Sequence, residues 1–218
     1  MMTNLFSVFD PCTGIFSMNW ISSIISLILL PYNYWILENK ISIIFNKILK
    51  VLSSEMNNLM KYNGMTLFMM SLFLYILFNN MMGLLPYVFT SSSHLVFCIS
   101  LALPMWMSFI LYGWINNTNK MFEHLVPVGT PNILMPFMVM IETISNIIRP
   151  GSLAVRLTAN MIAGHLLMSL LGNNSCSSLI AMSSCMLIMI MLMMFEMSVA
   201  IIQSYVFMTL TTLYSSEV

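Results

Sequence analysis

Long apolar blocks alternate with short polar ones along the chain. Residues 11–37, 62–119, 157–195 and 197–216 contain no Asp, Glu, Lys or Arg. A helix of about 20 apolar residues crosses the ~30 Å hydrocarbon core of a bilayer, so each run can hold at least one span. The first span is predicted over residues 15–35, weakened near one end by Pro31 and finished by Tyr32, Tyr34 and Trp35, which suit the membrane interface. Over residues 38–62 the period changes. Ile41, Ile44, Phe45, Ile48, Val51, Leu52, Met56 and Leu59 recur at helical spacing, while Lys40, Lys47, Lys50 and Lys61 fall elsewhere. That pattern predicts an amphipathic helix lying on the membrane surface. Spans at 67–89 and 94–115 form a hairpin around the turn-forming TSSS at 90–93, punctuated by Pro86 and Pro104. Residues 116–123 read as the loop at its far end.

The last two apolar stretches, 131–172 and 179–214, are too long for one upright span each. As single helices they would reach ~63 and ~54 Å at 1.5 Å per residue. Either each is broken into two spans, for which Pro150-Gly151 offers a break in the first, or each runs steeply tilted through the membrane. The residue pattern leans toward the break. In both cases the fold class is an all-α integral membrane protein in one polytopic domain.

Composition excludes the soluble alternative. Of 218 residues, 6% are charged and 59% hydrophobic, and the mean hydropathy is +0.91; polar surface could not cover such a chain in water. Seven basic and seven acidic residues cancel, so no basic surface for nucleic acid is expected. Placement says more than balance. All five lysines fall in 38–62 and 116–123, which the intervening spans put on one side, and by the positive-inside rule that side is a bacterial cytoplasm or the mitochondrial matrix. No positive region precedes the first apolar run, which argues against a cleaved signal or transit peptide.

Cys12, Cys98, Cys176 and Cys185 lack metal-ligand spacing, and the 26 methionines scatter over all faces, so neither a metal nor a cofactor is expected. Thioether ligands for copper are the alternative reading of the methionines. The chain also lacks a GxxxxGK phosphate loop, a GxSxG elbow and HExxH, and no catalytic centre of its own is expected.

Within 131–172 the polar residues form one stripe. Glu142, Ser145, Arg149, Ser152, Arg156 and Asn160 step by three or four, which sets them along one face of a helix. An arginine at mid-membrane costs ~2.5–3.5 kcal/mol and usually faces protein or a water-filled cavity. Arg149, beside Pro150, also fits a chain end reaching for the headgroups; Arg156 fits that less well. A guanidinium keeps its proton at physiological pH, so Arg156 can act only as a fixed positive charge that repels cations and attracts a carboxylate. The groups able to exchange protons are Glu142, His165 and Glu196, with Gln203 on the same helical face as Glu196. A carboxyl beside an imidazole can relay protons near neutral pH; a structural ion pair or interhelical hydrogen bonds are the alternative. Asn79 and Asn80 fall inside a span, as glue between helices or as lining of a water path. His94, His124 and Glu123 are read as loop residues at the surface.

The segments IETISNIIRPGSLAVRLTANMIAGHLL and FEMSVAIIQSYVFMTLTTLYSSEV resemble subunit a of F-type ATP synthases in its mitochondrially encoded, arthropod-like form. MMTNLFSVFDP, LFNNMMGLLPY, LYGWINN and HLVPVGTP extend the resemblance over nearly the whole chain. The resemblance implies a proton-translocating stator in the mitochondrial inner membrane, with two offset half-channels. Arg156 would be the essential arginine facing the carboxylate of a rotating ring of c subunits, with Asn160 and Gln203 near it. His165 and Glu196 would serve the half-channel open to the intermembrane space, and Glu142 the one open to the matrix. Implied partners are the c-ring, peripheral-stalk and other membrane-sector subunits, the lipid bilayer and protons. The resemblance also favours the tilted reading, with the last two helices as a long hairpin. A self-contained channel or secondary transporter is the alternative, against which stand the lack of inverted halves and of a complete acid relay. A structural scaffold would leave the polar stripe without a reason.

Overall fold

The computed structural model describes residues 5–31, 35, 37–60, 64–126, 131–174 and 179–217. They are almost entirely helical, with no strand among them. In order along these residues come α1 (Ser22–Ile28), α2 (Lys40–Leu59), α3 (Met65–Gly83), α4 (Leu95–Asn116), α5 (Thr118–Leu125), α6 (Met135–Asn174) and α7 (Leu179–Glu217), with 3-10 turns at Leu5–Phe9, Met18–Ile21 and Ser91–Ser93. Helices α3, α4, α6 and α7 are long and apolar enough to cross a membrane.

The α6–α7 hairpin lies against the α3–α4 hairpin. Leu153, Ala154 and Leu157 of α6 and Phe207 of α7 meet Ile76 of α3 and Cys98 and Ala102 of α4. A second cluster joins Met69 and Phe73 of α3, Met105 and Phe109 of α4, Met208 of α7 and Met56 of α2. Lipid is as apolar as these side chains, so helices in a membrane are held by close packing and hydrogen bonds. Ala154 and Ala200, both fully buried, allow that approach. The turn into α3 is made at Gly64, whose φ of 101° suits glycine and few other residues.

Four differences from the sequence reading have local causes. Among the described residues of the first apolar run, only Met18–Ile28 is helical, too short to span; Pro31 lacks an N–H and disfavours helix at the residue before it. Residues 32–34, which were to finish that span, lie outside the described part. Helix α2, expected to lie on the membrane surface, runs antiparallel along α3. Phe45 meets Phe78 at 6.4 Å between ring centroids, and Met56 and Leu52 join the Met69–Phe73 cluster. Its other apolar side, Ile41, Ile44, Ile48 and Val51, stays exposed. The presumed loop after α4 is largely the helix α5, folded back by an edge-to-face contact of Trp114 and Phe122 at 5.0 Å. Finally, α6 is one unbroken helix of 40 residues with Pro150 inside it, which overturns the leaning toward a break. Proline removes one backbone hydrogen bond, and α6 keeps the packing of Leu153, Ala154 and Leu157 directly after it.

Candidate functional site

The polar stripe of α6 is divided among three places. At its start, Glu142 and Arg149 stand two turns apart on one face, with a guanidinium to carboxylate distance of 3.7 Å. The Arg149 guanidinium also lies 5.2 Å from the ring centroid of Tyr214 on α7. Both side chains line a cavity of about 380 Å³ with His124 of α5 and Asn146. Arg149 is thus part-exposed and engaged by Glu142 and Tyr214. His124 is exposed, as read from the sequence, and borders the mouth of the same cavity.

In the middle, Arg156 is exposed on the outer face of α6, turned away from α3 and α4. Gly151, Ser152, Val155, Ala159 and Ala163 share that exposed face, so the guanidinium rises from a strip of small side chains. Among the described residues, no carboxylate lies within ion-pair distance of Arg156. One turn further, Asn160 turns toward α7 and its amide donates to Gln203 Oε1 at 3.1 Å. Gln203 is buried, so this bond satisfies two polar groups that would otherwise be costly in the interior.

The far part holds His165 and Glu196. Glu196 is buried, and its carboxyl lies so close to Gly164 that a Cβ there would collide with it. His165, the next residue on α6, points instead to α3, with a hydrogen bond to the Gly83 backbone, and meets the Phe9 ring edge-on at 6.2 Å. Among the described residues no ion pair or hydrogen bond joins His165 to Glu196; they flank Gly164. His165 opens on a second cavity, of about 680 Å³, bordered by Leu5, Val8, residues 84–88, Ser169 and Asn173. Asn79 and Asn80 are buried in the last turns of α3, and among the described residues neither side-chain polar atom of Asn80 has a hydrogen-bond partner.

Two participants escaped the sequence reading. Gly164 matters only because Glu196 of another helix fills the space beside it, and the neighbouring small pair Ala163-Gly164 in mid-helix was its only sign. His94 was assigned to a surface loop but is partly buried between Trp20 and Phe89, with centroids at 5.2 and 5.1 Å. Its position at the start of α4 concealed how the first helix folds over it.

A helical membrane domain with a mid-helix arginine between two cavities, each holding a group that can exchange protons, defines a class: membrane proteins that handle protons. Comparison with known proteins narrows it. The family model described as the ATP synthase A chain matches residues 15–216. The chain is 59% identical to ATP synthase subunit a of Drosophila melanogaster, 58% to that of Anopheles gambiae and 56% to that of Locusta migratoria, in each case over the full length of both chains. The chain belongs to the ATP synthase subunit a family. It is a multi-pass protein of the mitochondrial inner membrane and works among other subunits of ATP synthase.

Proposed function

We propose that protons cross this protein in two half-paths that do not meet, and that a carboxylate on a moving partner carries them between the two. The family is the proton-translocating membrane-sector subunit of ATP synthase. The observation that carries the reading is Arg156: an exposed cation on an apolar helix, without an acidic partner among the described residues, set in a strip of small side chains. A buried or lipid-facing cation needs a counter-charge. Small residues let a partner helix come close. A ring of c subunits presenting a carboxylate meets both requirements.

Glu142 then serves one half-path and His165 with Glu196 the other. Along α6, Glu142 and His165 are ~34 Å apart at 1.5 Å per residue. Between them the only charged residues of α6 are Arg149 and Arg156, which do not exchange protons. A self-contained channel would need a relay through that gap. Asn160 and Gln203 hold α6 and α7 together beside Arg156, which fixes where the charge stands. Lys120 of α5, the helix that borders the Glu142 cavity, supports a matrix side for that cavity and hence an intermembrane-space side for the His165 cavity. Peripheral-stalk and other membrane-sector subunits cover the remaining apolar faces.

The test is Arg156→Gln in the assembled complex, followed by ATP-linked proton flux across the membrane. Assembly is expected with coupled transport lost and a passive leak permitted. Unchanged coupled flux would falsify the stator reading.

A further inference from the structure

Helix α5 forms one wall of the cavity that holds Glu142. Met121, His124 and Leu125 line it, and residues at such helical spacing share one face, so α5 turns that face inward. Two contacts hold the helix against α4: Trp114 meets Phe122 edge-to-face at 5.0 Å, and the Asn117 N–H donates to the Gly113 carbonyl at 2.9 Å. The His124 side chain is exposed as well, so it borders both the cavity and the medium outside. The other charged groups are placed differently. From α6, Glu142 and Arg149 face the cavity 3.7 Å from each other, and from α7 Tyr214 lies under the guanidinium. The charged residues of α5 itself, Lys120 and Glu123, are exposed and do not line it, and α4 brings no titratable group to it. A guanidinium keeps its proton, and a phenol releases one only well above neutral pH. Among the described residues lining the cavity, a carboxylate and an imidazole are left to exchange protons near neutral pH: Glu142 and His124.

We propose that His124 is the proton-exchange group at the mouth of this half-path, passing protons between the medium and Glu142 through water in the cavity. The volume, about 380 Å³, admits several water molecules. In the inward direction a proton from the medium forms an N–H bond at the free imidazole nitrogen. The N–H bond at the other nitrogen then breaks, and its proton moves through water to the Glu142 carboxylate, which leaves the ring neutral. Outward transfer reverses these steps. The advantage is one of supply. At pH 8, hydronium at ~10⁻⁸ M arriving at ~10¹⁰ M⁻¹ s⁻¹ delivers only ~100 protons per second, whereas an exposed imidazole also takes protons from buffer molecules, which are far more abundant. The proposal rests on Glu142 serving a half-path, and adds the group through which that half-path meets the medium.

His124→Gln in the assembled complex tests it, because glutamine keeps a polar, hydrogen-bonding side chain that does not exchange protons near neutral pH. ATP-driven proton uptake is followed in inverted vesicles as membrane potential, per amount of assembled complex. The initial rate is expected to fall on the order of tenfold at an outside pH of about 8, less than for a buried general acid because the mouth is open to water. At about pH 6, where hydronium is roughly a hundredfold more abundant, the loss should be small. Imidazole added outside should restore uptake at the higher pH, and N,N′-dimethylimidazolium, which has no N–H, should not. An unchanged rate at both pH values, or a loss that imidazole does not restore, overturns the role of His124. Glu142→Gln run alongside separates the two claims. Uptake lost there but intact in His124→Gln removes His124 alone, whereas uptake that survives Glu142→Gln removes the half-path and His124 with it.

Discussion

At Gly164 two long helices meet around a carboxyl. The Glu196 side chain occupies the space where any other residue would carry its Cβ, so Gly164→Ala must push that carboxyl out of place. Proton transfer depends on placement to within about an ångström, and misplacement of that order costs up to a hundredfold in rate. Coupled proton flux in Gly164→Ala is therefore expected to fall by roughly ten- to a hundredfold. Gly172→Ala, where nothing lies within 4 Å of the added carbon, leaves the Glu196 carboxyl in place and should lower flux far less. The two arginines separate just as clearly. Arg149 is part-exposed, paired with Glu142 and stacked on Tyr214, an arrangement worth no more than about 1 kcal/mol at such exposure. Arg149→Gln should leave coupled flux in place and reduce thermal retention of the subunit only slightly; loss of flux equal to that of Arg156→Gln would show that Arg149 also carries function. The stripe containing both arginines was readable in the sequence because charges at steps of three and four stand out against an apolar background. Gly164 and His94 were not, since their meaning depends on which foreign side chain arrives beside them.

For whole elements, the same contrast between local and tertiary information decides what could be read. The spans α3 and α4 follow from apolar length alone, and their ends fall near the turn-forming residues. Helix α2 was legible as a helix from its period, but period does not say which neighbour receives the apolar face. Phe45, Leu52 and Met56 turn to α3 while Ile41, Ile44 and Ile48 turn outward, so one continuous stripe in the sequence became two faces. Pro150 misled for the opposite reason. The local rule against proline in a helix is sound, yet long flanking helical segments and the packing after it outweigh one missing hydrogen bond. Proline in a helix interior costs about 3 kcal/mol, so Pro150→Ala should stabilise α6 by up to about that amount. It would also hydrogen-bond the Asn146 carbonyl, which proline leaves without its helical donor in a residue that borders the Glu142 cavity. Retention of the subunit on heating the membrane sector should therefore rise. A fall in retention would mean that the proline is needed for the shape of α6.

For the whole molecule, the arrangement of cavities is the feature with most consequence. The first, bordered by Thr143, and the second, bordered by Ser169, lie toward opposite ends of α6 with Arg156 between them. If the protein offers two half-paths that reach opposite sides of the membrane, an impermeant thiol reagent should distinguish them. In a background with Cys12, Cys98, Cys176 and Cys185 replaced, Thr143→Cys should react only from the matrix side in inverted vesicles. Ser169→Cys should react only from the intermembrane side in right-side-out membranes. Labelling of both cysteines from one side would exclude opposed half-paths, even if Arg156 proved essential. Reversed labelling would keep the two half-paths and invert their sides, against the lysine placement. The expected pattern requires a proton arriving at one end to leave this chain before it can reach the other. That requirement follows from two arginines and no exchangeable group of α6 lying between Glu142 and His165, so under the proposed reading the step between them falls to a partner at Arg156.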